Sequence, residues 1–429
     1  MTHLETAPEQ AAAPPGSLRV GIYSPFFGST LGGGEKYLGV TAEAVREAFP
    51  DAAVEILSPV PVQVELYERM LGLDLKGITL RSTNSQPGRL KRLAARLPTL
   101  RLYRDLLVSA QAAPLTARYD LFISMVYVLP AFTRARRSVM LCQFPYERRL
   151  DIERPRVPHR LFKLYLWPYW RLRRAVFGGE VDGFQLIVCQ SEYVREWVRR
   201  RWGRESAVVN PPIDVYEKEP DWSAKEKIIV SVGRFFTGGH SKRHDVMVRA
   251  FRQLCDDGHQ GWELHLAGAV HRERPADREY FDRVAELARG YPVHLHTDVP
   301  RATIEDLYRR ASIYWHAAGY GADADRDPAT LEHFGMTTAE AMGHAVVPVA
   351  IGLGGQPEVV EDGVTGYLWE SVPQLKERTA ELMADPELRR RMGEAARQSS
   401  FRYSRHQFKQ RMSDLLRPML ADARRGPRP

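Results

Sequence analysis

Residues 331–343 read LEHFGMTTAEAMG and lie between two apolar runs, ASIYWH at 311–316 and AVVPVA at 345–350. Each run predicts a buried strand, and the stretch between them predicts a glycine-containing loop that leads into a short helix. Parallel α/β proteins bind anions at such places, because the free N–H groups and the positive dipole end of the helix face the loop. The pattern therefore places Glu332 in the loop and Glu340 about one turn inside the helix.

A second interpretation of the same stretch needs no ligand. Thr337-Thr338-Ala339-Glu340 fits the capping box S/T-x-x-E, in which the glutamate bonds back to the N–H of the capping residue. Glu340 would then only start the helix, and Glu332 would be a solvated loop acid. These residues alone do not decide between the two interpretations, so the decision rests on the remainder of the chain.

Composition limits the class of protein. A chain of 429 residues is long enough for two or three domains, and its apolar and charged fractions, 44% and 27%, are typical of a globular protein in water. No apolar run reaches the length of a membrane span. The cysteines lack metal-ligand spacing and indicate buried thiols in a reducing compartment, which predicts a cytoplasmic protein; they are Cys142, Cys189 and Cys255.

Positive residues give the chain a net charge of +8 and form two clusters. The first covers Arg89 to Arg104, and the second runs from Arg154 to Phe177 with aromatic residues between its cations. This mixture suits an anionic membrane surface or nucleic acid phosphates, and it equally suits a solvated helix face with an aromatic core side. No helix-turn-helix, zinc finger or RNA-binding motif is recognisable, so we expect no nucleic acid partner.

The first half of the chain predicts a Rossmann-like unit. Residues 18–24 form an apolar strand, a loop ends in Gly32-Gly33-Gly34, and residues 35–49 have helical periodicity before another strand at 53–57. The glycines do not spell G-x-G-x-x-G, and no acid follows where a ribose contact would require one, so we expect no dinucleotide here. The glycine run either lets the backbone approach a ligand closely or forms a plain turn.

A second series of strands and helices begins after a polar linker at 216–225. Residues 208–214 predict a strand before this linker that is halted by its two prolines, and residues 373–397 and 406–420 predict the closing helices. Two such series predict two parallel-sheet domains, whose ligands bind at the carboxyl ends of the strands. Residues of chemical interest fall at these ends throughout the second domain: Arg234, Gly268, His316, Glu332, Gly354 and Gly355. This convergence favours the functional interpretation of residues 331–343.

The side chains at these strand ends suit a nucleoside diphosphate sugar. Arg234 and Lys242 offer cations to a diphosphate, and the helix that begins near Met336 offers N–H groups. Glu340 suits a pair of vicinal hydroxyls such as those of a ribose. Glu332 suits sugar hydroxyls or a developing positive centre. Together these groups predict group transfer with the diphosphate as the leaving group.

The second half resembles glycosyltransferase family 4, whose members are retaining enzymes of the GT-B fold. The resemblance rests on V-G-R at 232–234 followed by Lys242, and on the E-x7-E pair Glu332 and Glu340 inside EHFGMTTAEAM. It also rests on GGQPEVVEDGVTGYL, which begins at Gly354. Each motif is weak alone, and the set in this order is specific.

The first half matches the family more loosely. It shares G-G-x-E from Gly32, and S-x-Y-V from Ser191 followed by NPPID from Asn210. The resemblance therefore covers residues 18–420 and implies two Rossmann-like domains with an interdomain cleft. Composition predicts a disordered leader at 1–17 and a basic tail at 421–429. The resemblance implies an acceptor-side domain at 18–215, a nucleotide-sugar domain at 226–400, and a helix packing back on the first domain at 401–420.

The resemblance implies a donor site in the second domain. It assigns Arg234 and Lys242 to the donor diphosphate. It assigns Glu332 to the transferring sugar and Glu340 to the ribose. Further donor contacts are implied from Phe334, Gly335, Met336 and Thr337, and from Gly32 and Gly33 of the first domain. The implied donor is a UDP- or GDP-sugar, and no metal or other cofactor is implied. The resemblance also implies retention of anomeric configuration, by a front-face mechanism in which the leaving phosphate helps to deprotonate the acceptor.

The chain departs from the family pattern at several positions. Lys242 stands one loop later than relatives place this lysine. Gln143 stands where many members have a histidine near the acceptor, and an amide there can only hydrogen-bond. The loop 319–330 carries alternate aspartates and predicts a solvated acidic loop rather than a metal site. His316 and His333 either contact the donor or serve in packing and hydrogen bonding.

The acceptor is expected to be a glycan or a lipid-linked glycan. The basic-aromatic segment 154–177 suggests a peripheral position on an anionic membrane, and the EHFG wording resembles GDP-mannose-dependent enzymes that extend dolichol-linked oligosaccharides, which favours mannose. The alternatives are a non-catalytic protein of this fold that binds sugar nucleotides or polyanions, and another enzyme of the fold such as a sugar-nucleotide epimerase.

Overall fold

The computed structural model describes residues 17–82, 113–127, 132–147, 166–173, 175 and 180–425, which fall into two units. The first unit comprises Met1–Cys189, Trp197–Ala207 and Lys409–Pro429. The second comprises Gln190–Glu196 and Val208–Phe408. The predicted leader, the cluster from Arg89 to Arg104, most of the segment 154–177 and the end of the predicted tail lie outside the described residues.

The first unit is built on a seven-stranded sheet of order β3-β2-β1-β4-β5-β6-β7. Its strands are β1 Arg19–Tyr23, β2 Ala53–Ser58, β3 Thr79–Ser82, β4 Leu121–Tyr127, β5 Arg137–Phe144, β6 Leu186–Cys189 and β7 Ala207–Val208. The helices are α1 Gly33–Ala48, α2 Val64–Leu71 and α3 Glu192–Trp202, the last shared with the second unit. Strand β1 is parallel to β2 and β4, and its apolar residues are buried because helices cover parallel sheets on both faces.

The second unit is built on a six-stranded sheet of order β10-β9-β8-β11-β12-β13. Its strands are β8 Ile228–Val232, β9 Glu263–Gly268, β10 Val293–Thr297, β11 Ile313–His316, β12 Val347–Ile351 and β13 Tyr367–Trp369. The helices are α4 His244–Asp256, α5 Pro275–Ala288, α6 Arg301–Arg310, α7 Met336–Gly343, α8 Gln356–Val359, α9 Val372–Ala384 and α10 Pro386–Ser400. Strand order reverses between β8 and β11, so a crevice is expected at their carboxyl ends.

The predicted fold class, GT-B with two Rossmann-like sheets, is confirmed. The last helix, α11 Arg405–Arg425, begins in the second unit and belongs to the first from Lys409 onward. There Lys409 Nζ pairs with Glu43 at 2.8 Å and with Glu47 at 2.7 Å. No helix in the described ranges combines the length and the apolar character that a membrane crossing requires.

Two predicted elements are wrong. The strand expected at 208–214 is only the short β7, because the two prolines at 211 and 212 cannot donate to a ladder. The single helix expected at 373–397 is two helices, since Asp385 ends one and its side chain caps the next by accepting from Leu388 N at 2.9 Å. Pro386 in the first turn of α10 is the sequence signal for that break.

Candidate active site

An ion pair lies at the carboxyl ends of β8 and β11. The ammonium of Lys242 contacts Glu332 Oε2, and His316 Nε2 lies 3.2 Å from the same oxygen. The Lys242 and Glu332 side chains are each 17% exposed, whereas that of His316 is 1% exposed. The structure therefore brings together two residues that the sequence assigned to one site, and it adds His316 as their hydrogen-bonding neighbour.

The pair is positioned by the end of β8. A Cβ on Gly233 would lie 2.4 Å from Lys242 Cγ, so the absence of a side chain there lets the lysine cross the strand end. The loop that precedes Lys242 turns at His240, whose N–H donates to Thr330 O at 3.2 Å. The spacing between Arg234 and Lys242 is longer than in the relatives, and the additional residues form a loop that still places Lys242 beside Glu332.

Electrostatics keep Glu332 ionised. Burial would raise the pKa of its carboxyl, but Lys242 and the hydrogen bond from His316 hold that pKa well below its usual range. Burial lowers the pKa of His316, so its imidazole is neutral and Nε2–H donates to the carboxylate. The result is a fixed negative charge beside a cation, at a strand end where ligands of this architecture bind.

The helix α7 begins directly after Glu332, as predicted. Its capping residue is Gly335 with φ 105°, a left-handed conformation that favours glycine, and a Cβ there would lie 2.1 Å from Gln356 Nε2. Gln356 is fully buried and its Oε1 accepts from Thr338 Oγ1 at 3.0 Å. Met336 and Thr337 follow in the first turn, where helix N–H groups lack partners inside the helix. Gln356 was not singled out from the sequence, although it stands in the GGQPE motif.

The capping-box interpretation of Glu340 is wrong. The helix is capped at Gly335 and not at Thr337, whose hydroxyl instead lies 2.8 Å from the Tyr314 hydroxyl. Glu340 Oε2 accepts from Arg301 Nη1 at 3.1 Å, and the Glu340 side chain is only 6% exposed. This charge pair, buried on the Glu340 side, holds the carboxylate in one orientation.

Arg301 is the main site residue that sequence reasoning missed. It begins α6, 39 positions before Glu340, and no local pattern joins the two. Burial opposes its charge, but the Glu340 carboxylate raises the pKa of Arg301. Arg301 lines a cavity of about 380 Å³ whose other walls come from residues 214–216, from α6 and from His344, the residue directly after α7.

The remaining predicted residues of the second unit follow β8 or precede α7. Arg234 is exposed and its guanidinium lies 5.1 Å from the Phe236 ring centroid. Phe334 is 1% exposed and packs edge-on against Tyr403. His333 is buried and its ring lies 4.5 Å from that of His240, so ring packing accounts for its position.

The predicted first-unit residues lie near one another. Gly32 is the capping residue of α1, with Gly33 first in the helix, and Gln143 lies on β5. A Cβ on the next residue, Gly34, would lie 2.6 Å from Gln143 Nε2, so the glycine run permits close contact between this helix start and the Gln143 side chain. The amide of Gln143 also donates to Met125 Sδ at 3.3 Å.

In the acidic loop 319–330, an aspartate side chain stabilises a turn of the same loop. Asp323 Oδ1 accepts from the N–H groups of Asp325 and Arg326 at 3.0 and 3.1 Å. This is the hydrogen bonding of an Asx turn, which needs no ion.

Comparisons with known proteins relate the second unit to a known family and the chain to a known fold. Residues 213–399 match the family described as Glycosyl transferases group 1. Over 250 residues, 54% of this chain, the sequence is 24% identical to GDP-Man:Man(3)GlcNAc(2)-PP-Dol alpha-1,2-mannosyltransferase of Dictyostelium discoideum. The chain spans about half the length of that relative, 46%.

Two solved structures share the fold. A glycosyltransferase from Rickettsia africae superimposes with a TM-score of 0.63 at 16% identity, covering 94% of this chain and 99% of that one. HepE of Anabaena, in complex with UDP and glucose, superimposes with a TM-score of 0.59 at 16% identity, covering 93% and 99%. Residues 213–399 thus match the group 1 glycosyl transferase family, within a chain of the GT-B fold.

Proposed function

We propose that the second unit binds a nucleoside diphosphate sugar and that the protein transfers the sugar to an acceptor hydroxyl. The observation that carries this proposal is Glu332, an ionised and partly buried carboxylate held by Lys242 and His316 directly before the start of α7. A carboxylate in that place accepts hydrogen bonds from sugar hydroxyls. It also stabilises the positive charge that develops at the anomeric carbon as the diphosphate leaves.

The diphosphate would lie against the cations and the helix start. Lys242 is already at the strand end, Arg234 follows β8 on the same side, and the first turn of α7 offers N–H groups and the positive end of its dipole. These groups meet the negative charge of the leaving group, so the proposed donor site relies on protein cations rather than on a metal.

The ribose would lie against Glu340. Its contact with Arg301 fixes the carboxylate, and a carboxylate accepts hydrogen bonds from two neighbouring hydroxyls. Glu332 is therefore assigned to the transferring sugar, and Glu340 to the nucleoside that leaves with the diphosphate.

We further propose retention of anomeric configuration, with the leaving phosphate taking the acceptor proton. Mannose from a GDP-sugar is the favoured donor, because the EHFG wording and the Dictyostelium relative both point to mannosyl transfer. The UDP and glucose of the HepE structure keep a UDP-sugar as the second candidate. A glycan or a lipid-linked glycan is the proposed acceptor.

A donor screen tests the proposal. GDP-mannose, UDP-glucose and related donors are each incubated with mixed glycan and lipid-linked acceptors, and the anomeric configuration of the product is read by NMR. An α-linked product from an α-linked donor supports retaining transfer, and a β-linked product contradicts it. Nucleotide-sugar binding without turnover in any acceptor mixture would instead support the non-catalytic alternative.

A peripheral membrane contact is proposed for the basic-aromatic segment. In its described part, residues 166–173 and 175, the side chains of Trp167 and Trp170 are 61% and 39% exposed. Arg171 lies 5.0 Å above the Trp167 ring, so a cation and an exposed indole are presented together. Indoles beside cations suit the headgroup region of an anionic bilayer.

Vesicle flotation tests this contact. We expect the protein to float with phosphatidylserine vesicles at low salt and to be released as the salt concentration rises. The double substitution Trp167→Ala and Trp170→Ala should reduce the floating fraction several-fold, while a control change at exposed Met70 should not. Equal flotation of the double variant, or no salt dependence, would reject the contact.

A further inference from the structure

Three histidines and a glutamate share one face of two neighbouring strands in the second unit. Residues two apart on a strand point to the same face, and Glu263 and His265 lie on β9 while His294 and His296 lie on β10. The parallel register sets His294 beside His265. Strand pairing therefore brings together the side chains of E-x-H on β9 and H-x-H on β10, which are distant in sequence.

The donor atoms are already close together. Glu263 Oε2 lies 2.9 Å from His265 Nε2 and 3.3 Å from His294 Nε2, and the three donor atoms all lie within 4.8 Å of one another. Tetrahedral zinc with bonds of about 2.0–2.1 Å to nitrogen or oxygen holds its ligands about 3.3 Å apart. We propose that Glu263, His265 and His294 bind a divalent transition metal ion, zinc above others, with His296 positioning His265.

His296 has the arrangement of an orienting residue. Its Nε2 lies 3.0 Å from His265 Nδ1, on the side of that ring away from Glu263. A hydrogen bond from His265 Nδ1–H to His296 Nε2 leaves His265 Nε2 without its proton and aimed at the ion. Metal-binding histidines usually donate their second ring N–H in this way, which fixes the tautomer and the ring orientation.

The surroundings permit a cation. The positive charge of Arg310 acts on His265, and its guanidinium is paired with Glu226 at 2.7 Å. The Glu263 and His294 side chains are 47% and 48% exposed, so an ion can enter from solvent, whereas that of His265 is 7% exposed. Three protein ligands leave a fourth position for water or for a group from another molecule.

This metal site is distinct from the proposed donor site. Glu263 begins β9, and Gly268 ends it at the edge where β8 and β11 carry the donor residues. Five residues of strand separate the two ends by about 16 Å. Nothing in the metal proposal depends on glycosyl transfer, and the expected effect of the ion is to tie the edge strand β10 to β9.

Zinc binding is tested on the full chain with any affinity tag removed and bound metal stripped by chelator. We expect calorimetry with Zn²⁺ to give one saturable site per chain, and Zn²⁺ to raise the midpoint of thermal unfolding. Co²⁺ in place of Zn²⁺ should give the visible absorption bands of a four-coordinate ion.

Variants at the exposed ligands keep the test independent of folding. His294→Ala and Glu263→Gln should each weaken zinc binding by about 100-fold or more, and His296→Ala by about 10- to 100-fold. His271→Ala is the matched control, because His271 is a partly exposed histidine 3.3 Å from a single carboxylate, Glu273. Absence of a stoichiometric site in the wild type, or wild-type affinity in both ligand variants, would overturn the proposal.

Discussion

Replacing Glu332 by glutamine should lower the turnover number for sugar transfer by about 10²- to 10³-fold, the range seen when one preorganised electrostatic group is removed from an active site. The substitution keeps the shape of the side chain and removes the negative charge that we assign to the transferring sugar. Lys242 loses its counter-ion, so the cation becomes available to the donor diphosphate. We therefore expect the loss in turnover, with little loss in affinity for the nucleoside diphosphate.

The measurement is steady-state transfer with the donor identified by the screen, accompanied by thermal unfolding of each variant. Glu286→Gln is the control, because Glu286 forms an exposed surface pair with Arg289 at 2.7 Å and lies on α5. It should leave turnover unchanged. If Glu332→Gln retained turnover within about threefold of the wild type, the assignment of Glu332 to the reacting sugar would be wrong.

The second large effect is expected at Gly354, which supports the Glu332 loop from the neighbouring turn. Gly354 has φ 64°, and a Cβ there would lie 2.2 Å from the Glu332 carbonyl oxygen. The same carbonyl accepts from Gly355 N at 2.8 Å, so it is fixed in place. An alanine would therefore be strained and would push the backbone of Glu332 away from Lys242.

We expect Gly354→Ala to lower the free energy of unfolding by about 2–5 kcal/mol, the sum of left-handed strain and overpacking. Turnover should fall by about 10²-fold, because displacement of a reacting group by about 1 Å has that cost. Chemical denaturation and the transfer assay measure the two effects.

Gly363→Ala separates the effect of left-handed backbone strain from the effect of the clash with the Glu332 carbonyl. Gly363 has φ 76° and nothing within 4 Å of the added carbon, so alanine there carries strain without a clash. It should lower the free energy of unfolding by about 1–2 kcal/mol and leave turnover unchanged. If both substitutions changed the free energy of unfolding and the turnover number equally, the close packing at the Glu332 carbonyl would not contribute to activity.

The sheets were predictable from sequence because their signals are local. Apolar runs of strand length alternate with helical periodicity, and such alternation leads to parallel sheets with ligands at the carboxyl ends of the strands. The loop position of Glu332 and the position of Glu340 one turn into α7 followed from the same pattern, and the structure confirms both.

The partners of the site residues were not predictable, because they come from distant parts of the chain. Lys242 and Glu332 are 90 positions apart, and Arg301 and Glu340 are 39 apart. The capping-box motif at Thr337 was misleading for the same reason, since the contact that holds Glu340 is tertiary. The histidine cluster on β9 and β10 likewise appears only once the strand register is known.

Calorimetric titration of the wild type, Glu332→Gln and Glu340→Gln with a nucleoside diphosphate and with its sugar tests the donor site most directly. Glu340→Gln should bind both ligands about tenfold more weakly, the loss expected for one good charged hydrogen bond. Glu332→Gln should bind the diphosphate at least as tightly as the wild type and lose the additional affinity that the sugar contributes. Wild-type affinities for both ligands in both variants would contradict the placement of the donor around Glu332 and Glu340.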